Sequence, residues 1–424
     1  MRSPSTANLV AYGALGLPLA MAALPVYVQV PAYYTTRLGM SLGLVGIVLF
    51  LARLVDTLQD PLLGWWIDTV ARRGALRRIM WPGASILAVA FAGLWVPPVS
   101  GDLRLAAWLA GSLVAVYLAH SLLNVAYLSW GARLGNVGTL ARAAAWREGF
   151  GLVGVLLASA LPAWLLAAPN LMPHLAMTVF AALFAMLLMA ALWLLVGVAP
   201  SWRAEPSTGT TVTAMPWRTL RGNRAFRVLL LPYFLNGLSV AIPATLAVFF
   251  IEDRLAAPKW VAPCLTLYFV AGTVGLPGWV RISQRIGALR AWRIAMLLAV
   301  AAFAWTGLLG PGDILSFLLV CTLSGLALGA DLALPPVLLA ARIPASEGPA
   351  VYFGVWTLLG KLCLAISGLA LPVLAWHGYQ PGTPATGSTG IALASMYAGL
   401  PCLLKLGALV LLRVRPDELQ ESLR

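Results

Sequence analysis

The sequence predicts an all-α membrane protein with twelve transmembrane helices in two six-helix bundles. Three observations carry this. The 424 residues are 61% hydrophobic and only 10% charged, too apolar to clothe a soluble protein. Apolar runs of about 20 residues or more, long enough to cross a bilayer, recur along the whole chain. One long polar interruption, APSWRAEPSTGTTVTAMPWRTLRGNRAFR at 199–227, parts two stretches of similar length.

Taken in order, the spans begin near Asn8, Ser41, Ile79, Arg104, Trp146, His174, Phe226, Lys259, Trp292, Ile314, Pro349 and Ile391. The first follows MRSPSTA and runs to about Tyr34, too far for the apolar core of a signal peptide. The expected division is an N-terminal six-helix bundle at 1–199, a cytoplasmic central loop at 200–227 and a C-terminal six-helix bundle at 228–424. No other loop could hold a soluble catalytic domain.

The net charge of +14 does not point to nucleic acid, because of how it is spread. With the N-terminus inside, 21 of the 28 Lys and Arg fall on the inner side. They include Arg72, Arg73, Arg77 and Arg78 after the second span and Arg281, Arg285, Arg290 and Arg293 after the eighth. Four fall outside: Arg37, Arg104, Arg254 and Lys259. Loops rich in Lys and Arg stay in the cytoplasm. Both termini are therefore expected there, in a multi-pass protein of the cell's inner (plasma) membrane. The expected partners are the lipid bilayer and a small-molecule substrate, with a monomeric protein and no nucleic acid.

GALR recurs at Gly74 and Gly287, after the second and eighth spans. Equivalent loops in two halves would arise from a parallel repeat. Chance matching in a chain rich in these residues is the other reading. Cys264, Cys321, Cys363 and Cys402 lie in apolar segments without paired spacing and read as small buried hydrophobes. With three His in the chain, no cofactor and no metal centre are expected beyond a coupling ion.

The most telling residues are in LARLVDTLQDPLLGWW. Asp56 and Asp60 lie four apart in an apolar span, and Arg53 precedes Asp56 by three, so all three share a helical face. A charge at mid-membrane costs about 2.5–3.5 kcal/mol on insertion scales. Arg53 can pair with Asp56, which leaves one acidic charge for a monovalent cation or for Lys361, a lone base in a distant span. A structural salt-bridge cluster is the plainer reading, though two carboxylates exceed what a lock needs. In the fourth span, VYLAHSLLNVAYLSWGARL, His120 and Asn124 share a face with Tyr127 and Gly131 near it, and Ser121 lies beside His120. A membrane His can carry protons and a Ser hydroxyl can ligate Na⁺. Polar glue between helices is the alternative. Arg147 and Glu148 open the fifth span and read as interfacial charges. Asp331 is a lone acid ahead of Pro335 and Pro336, which suggest a broken or kinked helix. Lys405, in the last span, receives no role. Among the 17 Trp, Trp356 could stack on a ligand.

SLGLVGIVLFLARLVDTLQDPLLGWWIDTVARR closely resembles the second helix of the glycoside–pentoside–hexuronide:cation symporters, a branch of the major facilitator superfamily typified by the melibiose permease. AYGALGLPLA, the fourth-span residues and FGVWTLLGKLCLAISGLALPVL are similar to that family too. GWWIDTVARRGALRR loosely fits the Gly-x-x-x-Asp…Arg-Arg-Gly loop of the wider superfamily. The resemblance implies a cation site at Asp56 and Asp60 with Gln59 and Ser121, Lys361 as a nearby charge partner, and Arg147 in substrate binding. It also shows departures. Pro18 and Asn124 replace the two sugar-binding carboxylates, Leu128 replaces a stacking tryptophan and His120 a tyrosine. The cation half of the motif is retained while the sugar half is largely lost. Substrate contacts are then expected from Asn124, Tyr127, Arg147, His120 and Trp356.

The expected function is cation-coupled (Na⁺ or H⁺) symport of a small sugar-like solute by alternating access, the two bundles rocking about a central cavity. A lysolipid or other amphipathic solute, or cation-independent facilitation, is the alternative. A membrane-embedded enzyme would need a nucleophile, base or metal cluster near one interface, and the sequence offers none.

Overall fold

The structure, a computed structural model, describes residues 4–167, 172–199, 217–344, 347–380 and 382–414. Most of the central loop, and Arg2, Arg415 and Arg424 of the tails, lie outside the described residues. Every element among the described residues is a helix. Their contacts group the chain into two compact units. The first comprises Met1–Pro216 with Pro344–Leu358, and the second Trp217–Ile343 with Leu359–Arg424.

In the first unit, α1 (Thr6–Gly13) and α2 (Gly16–Thr36) make up the first span. The expected single helix is interrupted because Pro18 has no N–H to donate to the Ala14 carbonyl. Leu17 N–H reaches that carbonyl instead, at 3.2 Å, tightening the turn. The helices α3 (Leu42–Arg72), α4 (Leu76–Trp95), α5 (Asp102–Gly131), α6 (Val137–Ala167) and α7 (Pro173–Gly197) follow. α5 packs against both α3 and α4, and α2 packs against α6. Phe91 and Trp95 of α4 meet Phe180 and Phe184 of α7 in an aromatic cluster, with Phe91 and Phe184 centroids 4.2 Å apart.

The second unit begins with the short α8 (Trp217–Gly222) and continues through α9 (Arg224–Phe249), α10 (Val261–Ile286), α11 (Ala288–Ala304) and α12 (Ile314–Ala340). α13 (Pro349–Ser367) belongs to the first unit up to Leu358 and to the second thereafter. α14 (Ala370–Trp376), α15 (Gly387–Ala394) and α16 (Leu400–Val414) complete the chain. α12 runs through Pro335 and Pro336 without the expected break. Pro401 does leave a mark: it cannot donate to the Tyr397 carbonyl, and the turn before it, Ser395–Gly399, widens to a π-helix joining α15 to α16. Phe250, Phe317 and Tyr397 pack in this unit's core, with Phe250 and Tyr397 stacked at 4.2 Å.

Among the described residues ten helices are apolar and long enough to cross a membrane. α3 and α6 are as long, at 31 residues each, and carry charged side chains in their interiors. Counting both gives the expected twelve spans.

Candidate functional site

The site is built on α3. Asp56 is 5% exposed and Asp60 is completely buried. Four residues apart, they lie one turn from each other on neighbouring strips of one face. Asp56 looks toward α5. Its Oδ1 accepts a hydrogen bond from Gln59 Nε2 at 2.9 Å and another from Ser121 Oγ at 3.3 Å. Gln59 Nε2 is also 3.4 Å from Ser121 Oγ. Three of the four residues expected at the cation site therefore form one hydrogen-bonded cluster. Both donors are neutral, so these bonds leave the charge of the carboxylate in place. The group offers a carboxylate, a hydroxyl and an amide oxygen, which are hard oxygen ligands suited to Na⁺ or to proton uptake.

Asp60 lies on the contact with the first part of α13. A Cβ added to Gly354 would fall 2.4 Å from the Asp60 carbonyl oxygen, and one added to Gly64 would fall 2.4 Å from that of Ala350. Glycine on each helix thus lets two antiparallel backbones touch. One turn further along α3, Asp68 accepts the N–H groups of Ala350 and Val351, both at 2.9 Å. These are orphan donors at the start of α13, and a carboxylate there satisfies them and the helix dipole together. Arg133 adds hydrogen bonds to the carbonyls of Glu347 and Pro344. Asp60, Gly64 and Asp68, spaced by fours, form one stripe that seats α13.

Of the other candidates, Tyr127 and Arg147 come together beside Tyr12. Arg53 is exposed on α3. His120 is half-buried with Nε2 3.0 Å from the Leu19 carbonyl. A carbonyl can only accept, so Nε2 carries the hydrogen. Asn124 is half-buried on α5, a turn beyond His120. Tyr127 is 1% exposed, and its hydroxyl donates to the carbonyls of Tyr12 at 2.7 Å and Gly13 at 3.2 Å. Its ring packs on Tyr12 at 4.6 Å, so it is engaged in joining α1 to α5. Arg147 pairs with its neighbour Glu148 at 2.5 Å, the two side chains 11% and 22% exposed. Trp356 is buried in the part of α13 that belongs to the first unit, and Lys361 is half-buried in the part that belongs to the second.

Sequence reasoning left a second cluster unassembled. In the second unit, Lys405 of α16 meets Asp331 of α12, with Asn236 of α9 and Trp292 of α11 completing the group. The signal for it was charge balance. A lone acid in one span calls for a base in another.

Among the described residues, no group of three or more His, Cys, Asp and Glu is gathered as a metal site. The buried carboxylates thus sit within long helices of both units. The chain belongs to the MFS/sugar transport protein family, whose model matches residues 9–416. It is a multi-pass membrane transporter of small solutes and not an enzyme. Its fold is similar to that of a bacterial homologue of the iron transporter ferroportin in an outward-facing state, with TM-score 0.72, 18% identity and coverage of 96% of this chain and 99% of that one. It is also similar to the E. coli fucose:proton symporter FucP, with TM-score 0.69, 14% identity and coverage of 96% and 97%.

Proposed function

We propose that this transporter is a melibiose permease-like symporter. It couples the uptake of a small sugar-like solute to Na⁺ or H⁺ by alternating access. The observation that carries the reading is Asp56, buried and hydrogen-bonded in one cluster with Gln59 and Ser121. An ionised carboxylate in low dielectric is costly, and a bound monovalent cation or a proton removes that cost. Occupancy then shifts which conformation is favoured, which is what coupling requires. An inward-moving cation gains about 2.3 kcal/mol per 100 mV of membrane potential, enough to concentrate a solute tens of fold. Asp60 contributes a second carboxylate one turn away. The basic loops support an inner-membrane location with cytoplasmic termini.

The test is uptake into proteoliposomes after a thermal-shift screen of sugars, glycosides and lysolipids. Na⁺ is replaced by choline at fixed pH, and pH is then varied at fixed Na⁺. A stabilising sugar-like solute whose uptake depends on one of the two ions supports the proposal. Uptake indifferent to both ions would leave a facilitator, and stabilisation by lysolipids alone would reassign the substrate.

A further inference from the structure

The second unit holds a buried ion pair that the proposed coupling site does not use. Lys405 Nζ lies 2.7 Å from Asp331 Oδ2, with the two side chains 6% and 7% exposed. The remaining valences are filled. Asp331 Oδ1 accepts from Trp292 Nε1 at 2.8 Å and from Asn236 Nδ2 at 3.1 Å. Asn236 Oδ1 accepts from Lys405 Nζ at 2.7 Å. The amide of Asn236 has one orientation that fits, oxygen toward the ammonium and nitrogen toward the carboxylate. Both carboxylate oxygens of Asp331 therefore face donors.

Asp331 is met by a fixed positive charge carried on the chain. One oxygen each from Asp331 and Asn236 lies 2.7 Å from the ammonium, a charged and a neutral hard ligand of the kind that meets a small monovalent cation. We propose that Asp331 and Asn236, held by Trp292, form a cation site permanently filled by the chain's own Lys405. The second unit therefore exchanges no ion, and the coupling ion belongs to the first unit alone. The last clause rests on the reading of Asp56 as the coupling carboxylate, while the filled site does not.

A filled site behaves distinctively when its parts are removed. Deleting one partner of a buried pair strands a charge, whereas neutralising both removes that penalty. The experiment compares thermal unfolding of full-length wild type, Lys405→Ala, and the double variant Asp331→Asn/Lys405→Ala. Lys405→Ala is expected to unfold about 10 °C below the double variant. Added methylammonium or Na⁺ should recover much of that loss in Lys405→Ala and nothing in the double variant, with the bulkier choline as the ionic-strength control. Should Lys405→Ala fail to fold, recovery of folded protein in the double variant carries the same meaning. Equal stability of the two variants, rescue by choline, or failure of the double variant to fold would overturn the filled site. In transport, the double variant should keep the ion dependence of wild type, and its loss in a folded double variant would overturn the assignment of the exchangeable ion to the first unit. Absence of ion dependence in wild type would count against the proposed function, leaving the stability comparison to decide the filled site.

Discussion

Gly354 offers a prediction whose size follows from distances. A methyl group there would lie 2.4 Å from the Asp60 carbonyl oxygen, 3.0 Å from its carbon and 3.1 Å from Pro61 Cα. All three are backbone atoms, so no side chain can swing aside. To reach an ordinary contact of about 3.5 Å, α13 must move off α3 by about 1 Å. Overpacking of that kind costs about 1–3 kcal/mol. Replacing glycine in a helix by alanine otherwise gains up to about 1 kcal/mol, so a matched control is needed. Gly278 supplies it, since it lies within α10 and a Cβ there meets nothing within 4 Å. Gly354→Ala is expected to unfold roughly 3–10 °C below Gly278→Ala in a thermal-shift assay. Because the displaced peptide is that of Asp60, Gly354→Ala should also raise the ion concentration needed for half-maximal uptake. If the two variants melt together and share the wild-type ion response, the close contact and its link to the carboxylate are refuted.

Two further outcomes can be read from single substitutions. Asp68→Asn keeps one acceptor but turns an amide N–H₂ toward a backbone donor of Ala350 or Val351, so stability should fall by about 2–4 kcal/mol, measured by denaturation against Asp102→Asn as an exposed control. Tyr379, in the segment after α14, donates its hydroxyl to Asp253, and burial followed by that carboxylate pushes its ionisation upward. The raised value means that the folded state holds the phenolic proton more tightly, so stability is complete below about pH 10 and declines as pH rises beyond it. Tyr379→Phe should lose about 1–2 kcal/mol near neutrality and no longer show that alkaline decline in melts at successive pH values.

Much of the fold was legible because the bilayer imposes a simple rule on composition. Helix starts at Ile314 and Pro349 fall where the apolar pattern sets them. Proline effects were harder to foresee, since a missing N–H matters only if its carbonyl cannot be served otherwise. Pro18 interrupts the first span, whereas Pro335 and Pro336 leave α12 continuous. At the site, the i, i+3 spacing of Asp56 and Gln59 was visible locally, and resemblance supplied Ser121, 65 residues from Asp56. Nothing local could supply the Asn236, Trp292, Asp331 and Lys405 group. Its members occupy four helices, with Lys405 74 residues from Asp331 and Asn236 95 residues away, and no period in one helix links them. The seating of α13 on Asp68 was hidden for a related reason. A loop motif can be recognised, but the helix end that it caps lies 282 residues away.

The central claim is that Asp56 carries the ion whose movement drives the solute. Asp56→Asn keeps the size of the side chain and removes its charge. Initial uptake rates measured across a range of Na⁺ concentration and of pH, in variant and wild type reconstituted to equal density, test the claim most directly. The account predicts that the variant remains folded, with the ion response of wild type abolished. A folded variant whose uptake still rises with the same ion, over the same concentration range, would contradict it.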